Sequence, residues 1–369
     1  MEILQDLHLA SWMRQGLRHG SCKDIFRKDR LQEDPAMLRD LDTAVRCFGR
    51  TAFSFDVLEA PERYAIHASQ RVPGALVPYR TVGGVDAVIG EPLAPEDRLA
   101  EVTHEFLATR RAAKRCVIGF CASEAFAQAA VEAGGGAAQI TAEPELDPLS
   151  YEPIGGSAKK LRAYARRLRR SGMQVASLGP GARVPTEFAA PADALIERWK
   201  RLAVRNVPHI LEVEPWRLAC EKRYFAVFDP KSADRMWSLL IAHPVYAFDG
   251  WHLCHLVRDP DAPKGVTELA VLAAIEQLGD EGVRYATFGP YAAPRVGEFR
   301  GFGRLAELAM RCVYRLAAAT SGFDASGEFY RKVQADPWRP RYLVIHPSGA
   351  VSRGIYAMMR LSHVVGTLA

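Results

Sequence analysis

Seven cations crowd the twelve residues from Lys159 to Arg170: Lys159, Lys160, Arg162, Arg166, Arg167, Arg169 and Arg170. Leu161, Tyr164 or Ala165, and Leu168 recur at helical spacing, so the segment reads as a helix docked by a narrow apolar stripe, its cations facing outward. Few carboxylates lie close enough to pair along the run. Like charges over three turns repel, and a polyanion relieves that repulsion; a merely solvated face is the plain alternative. A second group of chemistry-bearing residues sits in HLVRDPDAPKGVTELA (255–270) and GEFYRKVQADPWRPRYL (327–343). If the strand, turn and helices read there pack as one layer unit, His255, Arg258, Glu268, Tyr330 and Lys332 surround one cleft. His252, Cys254 and His255 invite a metal reading. Strict strand alternation, however, puts His252 and Cys254 on one face and His255 on the other, so no metal site is expected.

Other strong signatures are missing. The chain has no G-x-x-x-x-G-K-[ST] phosphate loop, no G-x-S-x-G elbow and no H-E-x-x-H pair. Gly301-Phe302-Gly303 reads as a turn before a helix.

The elements that must position these residues follow from periodicity. Residues 1–50 read as helical, with Pro35 starting a helix through Met37, Leu38, Leu41, Ala44 and Val45. FSFDVL (53–58), YAIHAS (64–69), ALVPYR (75–80) and AVIG (87–90) read as a strand meander. Pro95 opens a helix through Leu107, CVIGF (116–120) is a buried strand, Ser123 caps a helix stopped by Gly134–Gly136, and AQIT (138–141) is a strand. The second half repeats the order: a helix near 190–204; strands at 223–228, 236–243, 246–248 and 251–257; a helix from Val266 to Leu278; a strand at 284–289; a helix at 303–318; and a strand at 341–346. The expected organisation is an N-terminal helical segment (1–50), a first α/β unit (51–156), the basic helix and a linker (157–186), a second α/β unit (187–347) and a C-terminal helix (348–369).

With 369 residues, 49% apolar and 25% charged, the chain is of ordinary globular composition, which excludes disorder and fibrous repeats. No apolar run is long enough to span a bilayer, and Glu2, Asp6 and Arg14 interrupt the stretch a secretory signal would need, so a cytoplasmic protein is expected. Seven scattered cysteines without a C-x-x-C pair read as free thiols. The net charge of +5 is mild, so its concentration in one helix matters more than its total.

The strings AVIGEPLAP (87–95), KKLRAYARRLRRSG (159–172), HLVRDPDAPKG (255–265), RYATFGP (284–290) and DPWRPRYL (336–343), in that order, resemble the catalytic domain of the aminoacyl-phosphatidylglycerol synthases, the multiple peptide resistance factor family. The resemblance covers roughly residues 50–347. It implies an α/β fold of tandem GNAT-like (acetyltransferase-like) units, each a mixed sheet flanked by helices. It also implies transfer of an amino acid from aminoacyl-tRNA to a hydroxyl or amine of a lipid or small-molecule acceptor. The chain departs from the family at His255-Leu256-Val257-Arg258, where an imidazole replaces the usual carboxylate. It departs again where the family's pair of lysines becomes Tyr330 and Lys332 with one inserted residue, or Arg331 without it.

On this resemblance, the cations at 159–170 hold tRNA phosphates, and Arg258 and Lys332 stabilise the oxyanion or grip terminal phosphates. His255 takes the acceptor's proton, Glu268 binds the amino group of the carried amino acid, and Tyr330 lines the substrate site. An aminoacyl ester is already activated, so no cofactor is expected and no metal is required. An acyl-CoA-dependent GNAT acyltransferase is the main rival. It needs backbone N–H groups to cradle a pyrophosphate, and the turn Asp259–Gly265 contains two prolines without N–H and two aspartates. A non-catalytic tRNA-binding relative is the third reading. Contact with a membrane is expected to be peripheral at most, and no obligate protein partner is inferred.

Overall fold

The structure, a computed structural model, describes residues 35–203, 213–229, 231–292, 297–321 and 329–361. The helical expectation for residues 1–34, the rest of the helix near residue 204, residues 326–328 of a helix that the sequence also leads one to expect at 326–334, and the end of the C-terminal helix lie outside them.

Helix α1 (Pro35–Phe48) begins at the expected proline and buries Leu41, Ala44 and Val45, one face at helical spacing. The run at 53–58 is a correction: Ser54–Glu59 is helix α2, not a strand. Its β-prone residues are overridden by packing, because Phe55 and Val57 are buried while the Asp56 side chain stays one-third accessible. Strands β1 (Ala65–Ala68), β2 (Leu76–Val82) and β3 (Val85–Ile89) form the meander. Helix α3 (Leu99–Ala112) then crosses to β4 (Cys116–Ala122). Ser123 caps α4 (Glu124–Glu132) by accepting the Phe126 N–H, and β5 (Gly136–Leu146) follows.

Beyond the basic helix α5 (Lys159–Arg170) lie β6 (Val175–Leu178), α6 (Thr186–Ala203), β7 (Arg223–Asp229), β8 (Ser232–Val245) and β9 (Gly250–Arg258). Residues 246–248, expected as a strand, form a tight 3-10 turn that ends in Asp249 at φ 45°. Helix α7 (Val266–Asp280) leads to β10, which keeps only Ala286–Thr287 of the strand expected at 284–289. Two-residue strands β11 (Tyr291–Ala292) and β12 (Phe299–Arg300), helix α8 (Arg304–Ser321), β13 (Trp338–His346) and α9 (Val351–Leu361) complete the described chain.

The strands join one mixed sheet in the order β1-β2-β3-β4-β13-β5-β10-β9-β8-β7-β6, with β11 and β12 also on β5. Each half contains a strand–helix–parallel strand crossover, β3-α3-β4 and β9-α7-β10, the repeat read from the sequence. Simple succession of units does not hold at the end of the chain. Strand β13, assigned by its position to the second unit, lies between β4 and β5 of the first, antiparallel to both.

The cores follow the faces of this sheet. One, packed under α5 and α7, gathers Ala165, Leu168, Leu253, Val266, Leu269 and Phe288. On the opposite face of β7–β9, Phe188, Leu195, Tyr224, Leu239, Ile241 and Val257 pack with α6. Six of the seven cysteines are described and all six are free.

Candidate functional site

The parallel pair in the second half separates early, leaving a gap where the sequence leads one to expect a cleft. Strands β9 and β10 pair only at Trp251/Ala286 and His252/Thr287. After Thr287 the chain turns toward β5: the Phe288 N–H donates to the Pro144 carbonyl at 3.2 Å, and Gly289 takes φ +75°. Strand β9 continues to Arg258 with β8 as its only neighbour in the register. The gap lies beside the start of α7, where Gly265 at φ +99° brings the chain against Tyr164; a Cβ there would stand 2.5 Å from that residue's Cβ.

Four of the five expected cleft residues belong to this side of the sheet. Arg258, at the end of β9, donates from Nη2 to the Ala262 carbonyl. Glu268, in the first turn of α7, is 7% exposed and accepts the Thr267 hydroxyl at 2.9 Å. Lys332 Nζ stands 3.9 Å from Glu268 Oε1, a loose ion pair at the outer limit of direct contact, which a ligand would have to part to enter. Tyr330 packs its ring 5.3 Å from Phe288, 5.5 Å from Tyr291 and 6.0 Å from Trp338, and burial pushes its phenol up to about 12. A carboxylate, two cations and an aromatic wall can bind an ammonium group, oppose a developing oxyanion and cover the reacting atoms from water.

His255 is the exception and a correction. Between His255 and Arg258 the β8/β9 register runs without a break, so these two, three apart, point to opposite faces. His255 shares the face of Val257, Arg258 that of Leu256. The same register corrects the reading of the His252 region. Ala242 opposes Leu253 and Ile241 opposes His255, which makes Cys254 the extra residue of a β-bulge. The bulge brings His252 and His255 to one face, where their rings lie 6.3 and 5.5 Å from His243. Donor atoms of His243, Cys254 and His255 all fall within 4.8 Å of one another. Burial lowers the basicity of His243 and His255 well below the ordinary histidine value and raises the Cys254 thiol well above its own. Burial likewise pushes Asp56 up to about 6, although a third of its side chain is accessible, and Glu59 to about 7.

The basic helix is placed as its periodicity predicts. Leu161, Ala165 and Leu168 are buried, Arg162 is intermediate, and Lys159, Lys160, Arg166, Arg167, Arg169 and Arg170 are exposed. Not all seven lack partners, however. Arg169 pairs with Glu276, Arg162 donates to the Pro153 and Gly155 carbonyls, and Arg167 donates to the Lys264 carbonyl at 2.6 Å. Among the described residues Lys159, Lys160, Arg166 and Arg170 have no carboxylate partner. The Arg167 bond ties the ridge to the turn that forms the mouth of the cleft.

Sequence reasoning missed an ionic seam between β13 and β5, buried at Arg341–Glu143 and open to solvent at Arg339. Arg341 donates from Nε to Glu143 at 2.6 Å, and Glu143 also accepts the Thr287 hydroxyl at 2.8 Å. One register step away, Arg339 pairs with Glu145, which accepts the Tyr285 phenol at 3.2 Å. Alternating carboxylates in Glu143-Pro144-Glu145 and alternating arginines in Arg339-Pro340-Arg341 were the available signal, since facing strands can match such charges.

Comparison with known proteins gives the family and the fold. The model of the phosphatidylglycerol lysyltransferase C-terminal family matches residues 61–345. No curated protein matches in sequence. Among solved structures, the C-terminal domain of a protein described as a lysylphosphatidylglycerol synthetase, from Agrobacterium fabrum, superposes with a TM-score of 0.70 at 15% identity over 88% of this chain and 96% of its own. The protein called L-PGS from Bacillus licheniformis gives 0.68 at 17% identity, over 89% and 96%. At these identities both show a shared fold. No helix among the described residues is long and apolar enough to cross a membrane.

Proposed function

From a chain that belongs to the phosphatidylglycerol lysyltransferase C-terminal family, we propose a tRNA-dependent aminoacyltransferase that moves an amino acid from aminoacyl-tRNA to a hydroxyl or amine of a lipid or small-molecule acceptor. The observation that carries the reading is the junction of ridge and cleft. The cationic face of α5 is exposed, and Arg167 holds the turn that leads into Glu268 and the mouth. A polyanion lying along α5 would have its end delivered to the gap between β9 and β10.

Phosphate contacts from Lys159, Lys160, Arg166 and Arg170 supply affinity without sequence readout, with Arg162, Arg167 and Arg169 bracing the ridge. Glu268 takes the ammonium of the carried amino acid in place of Lys332, freeing that lysine to face the ester carbonyl. Arg258 and Lys332 then oppose the tetrahedral oxyanion, and Tyr330 with Phe288 walls the site. His255, on the other face, has no part in this constellation. Attack by the acceptor oxygen or nitrogen forms the new ester or amide, the ribose oxygen leaves, and the acceptor's proton goes to water or to that oxygen.

Incubation with a mixture of radiolabelled aminoacyl-tRNAs and extracted lipids or small-molecule acceptors tests the reading. One labelled amino acid should leave its tRNA and appear on an acceptor in an enzyme-dependent manner. Consumption of an acyl-CoA alone would overturn the donor assignment. That alternative fits the turn less well, because Pro260 and Pro263 offer no N–H to a pyrophosphate.

A further inference from the structure

We propose that His243, Cys254 and His255, with Asp56 closing the shell, form a binding site for a zinc-class divalent cation. The site lies beneath α2, on the sheet face opposite the cleft, and its existence does not depend on the reaction proposed above.

The geometry begins with the bulge. An unbroken strand would separate Cys254 from His255; the extra residue turns both toward His243 on the neighbouring strand, with all three donors within 4.8 Å. Zinc–nitrogen and zinc–sulfur bonds of about 2.0–2.3 Å place adjacent donors of a tetrahedral site roughly 3.5 Å apart. Rotation of the side chains by about 1 Å at their tips would close the difference.

His243 supplies the second, independent observation. Its side chain is 1% exposed, yet neither ring nitrogen has a hydrogen-bond partner among the described residues. Buried polar atoms are rarely left so, and an imidazole with both nitrogens unclaimed inside a polar cluster is available to a cation. Nδ1 lies 3.5 Å from Asp56 Oδ1; that carboxylate groups with Glu59 and His243 rather than with Cys254 and His255, so its side chain would swing toward the ion to supply the anionic oxygen. His252 is occupied instead: its Nδ1 meets the Ala52 carbonyl at 2.9 Å.

Charge agrees. Lys222 is 1% exposed and hydrogen-bonds Glu59, so that pair is internally balanced. A divalent cation facing a Cys254 thiolate and an Asp56 carboxylate is balanced as well. Soft thiolate with imidazole is the donor set that selects zinc over magnesium or calcium. Cys254 and His255 are intermediate in burial rather than wholly enclosed. Such an ion would pin α2 of the first half onto β8 and β9 of the second.

The test uses the full chain, stripped with chelator and then equilibrated with zinc or cobalt. One zinc per chain should be retained after gel filtration. The cobalt form should show sulfur-to-metal charge transfer, and Cys254→Ser should abolish that band and weaken zinc binding by about 100-fold or more. Cys220→Ser, an exposed thiol elsewhere, should change neither. The proposal is overturned if the unaltered protein retains no zinc, if its cobalt spectrum lacks a sulfur band, or if Cys254→Ser binds zinc equally well. The cobalt spectrum of the unaltered chain decides the matter even if the variant does not fold. Loss of aminoacyl transfer in a separate assay bears on the function alone.

Discussion

The two crossovers of the sheet are built alike and end differently. In the first half β3 and β4 pair over five consecutive positions, from Val85/Cys116 to Ile89/Phe120, and the strands stay together. In the second, β9 and β10 pair at two positions and part. The same strand–helix–strand unit therefore yields a closed wall once and an open cleft once. The difference lies in the length of the second strand of the crossover. In the first half the second strand of the crossover is the seven-residue β4, flanked by the nine-residue β13; in the second it is the two-residue β10, whose chain leaves toward β5 at Gly289. Chemistry-bearing side chains gather where the pairing fails, because backbone separation there leaves room for a ligand.

That contrast can be broken most severely at the seam. Arg341→Met should leave Glu143, which is fully buried, without its countercharge, and should cost about 3–5 kcal/mol in chemical denaturation. An equally stable variant would mean that the join between the halves does not rest on this pair. Next in size, Lys332→Ala or Arg258→Ala should lower the rate of aminoacyl transfer by about 10²–10³-fold while leaving tRNA affinity unchanged. A parallel fall in affinity would move these cations from the cleft's chemistry to tRNA holding. Replacing Lys159, Lys160, Arg166 and Arg170 by Gln should weaken tRNA binding and reduce the slope of log affinity against log salt by about 3.

Acid sharpens the comparison from another side. The junction between the halves also carries Arg46–Glu221 and Arg217–Glu62, whose arginines hold both carboxyls below the ordinary 4.5. A depressed carboxyl stabilises the fold above its unfolded value and loses that contribution as pH falls through its folded value. Thermal unfolding followed from neutrality down through pH 4 should therefore show declining stability, with Glu221→Gln flattening the decline. The smallest effect belongs to the closed half. Glu101, in the first turn of α3 and paired with Arg98, occupies a position like that of Glu268; Glu101→Gln should leave transfer activity within about twofold of the parent, since surface pairs contribute little.

The outward face of α5 was legible because a 3.6-residue period fixes burial without knowledge of partners: Leu161, Ala165 and Leu168 are the buried positions. The crossovers were legible for the same reason. Four features were not. Ser54–Glu59 is too short to show a helical period, and its conformation is imposed by the surface it covers. The bulge at Cys254 depends on how β9 registers with β8, and a single strand's sequence does not contain that register. His255 was grouped with Arg258, Glu268, Tyr330 and Lys332 at one strand end, but residues three apart on an unbroken strand face opposite ways. The place of β13 is a non-local choice between edges that local pattern leaves open.

That last strand has a consequence for how the protein is made. As the chain leaves the ribosome, β4 and β5 are synthesised some two hundred residues before the segment Trp338–His346 that must lie between them. Until then both expose a row of unpaired N–H and C=O groups, an invitation to neighbouring nascent chains. The first half cannot mature as an independent unit during translation; it waits for Trp338–His346 to emerge, and closure of this long-range gap should set the pace of folding.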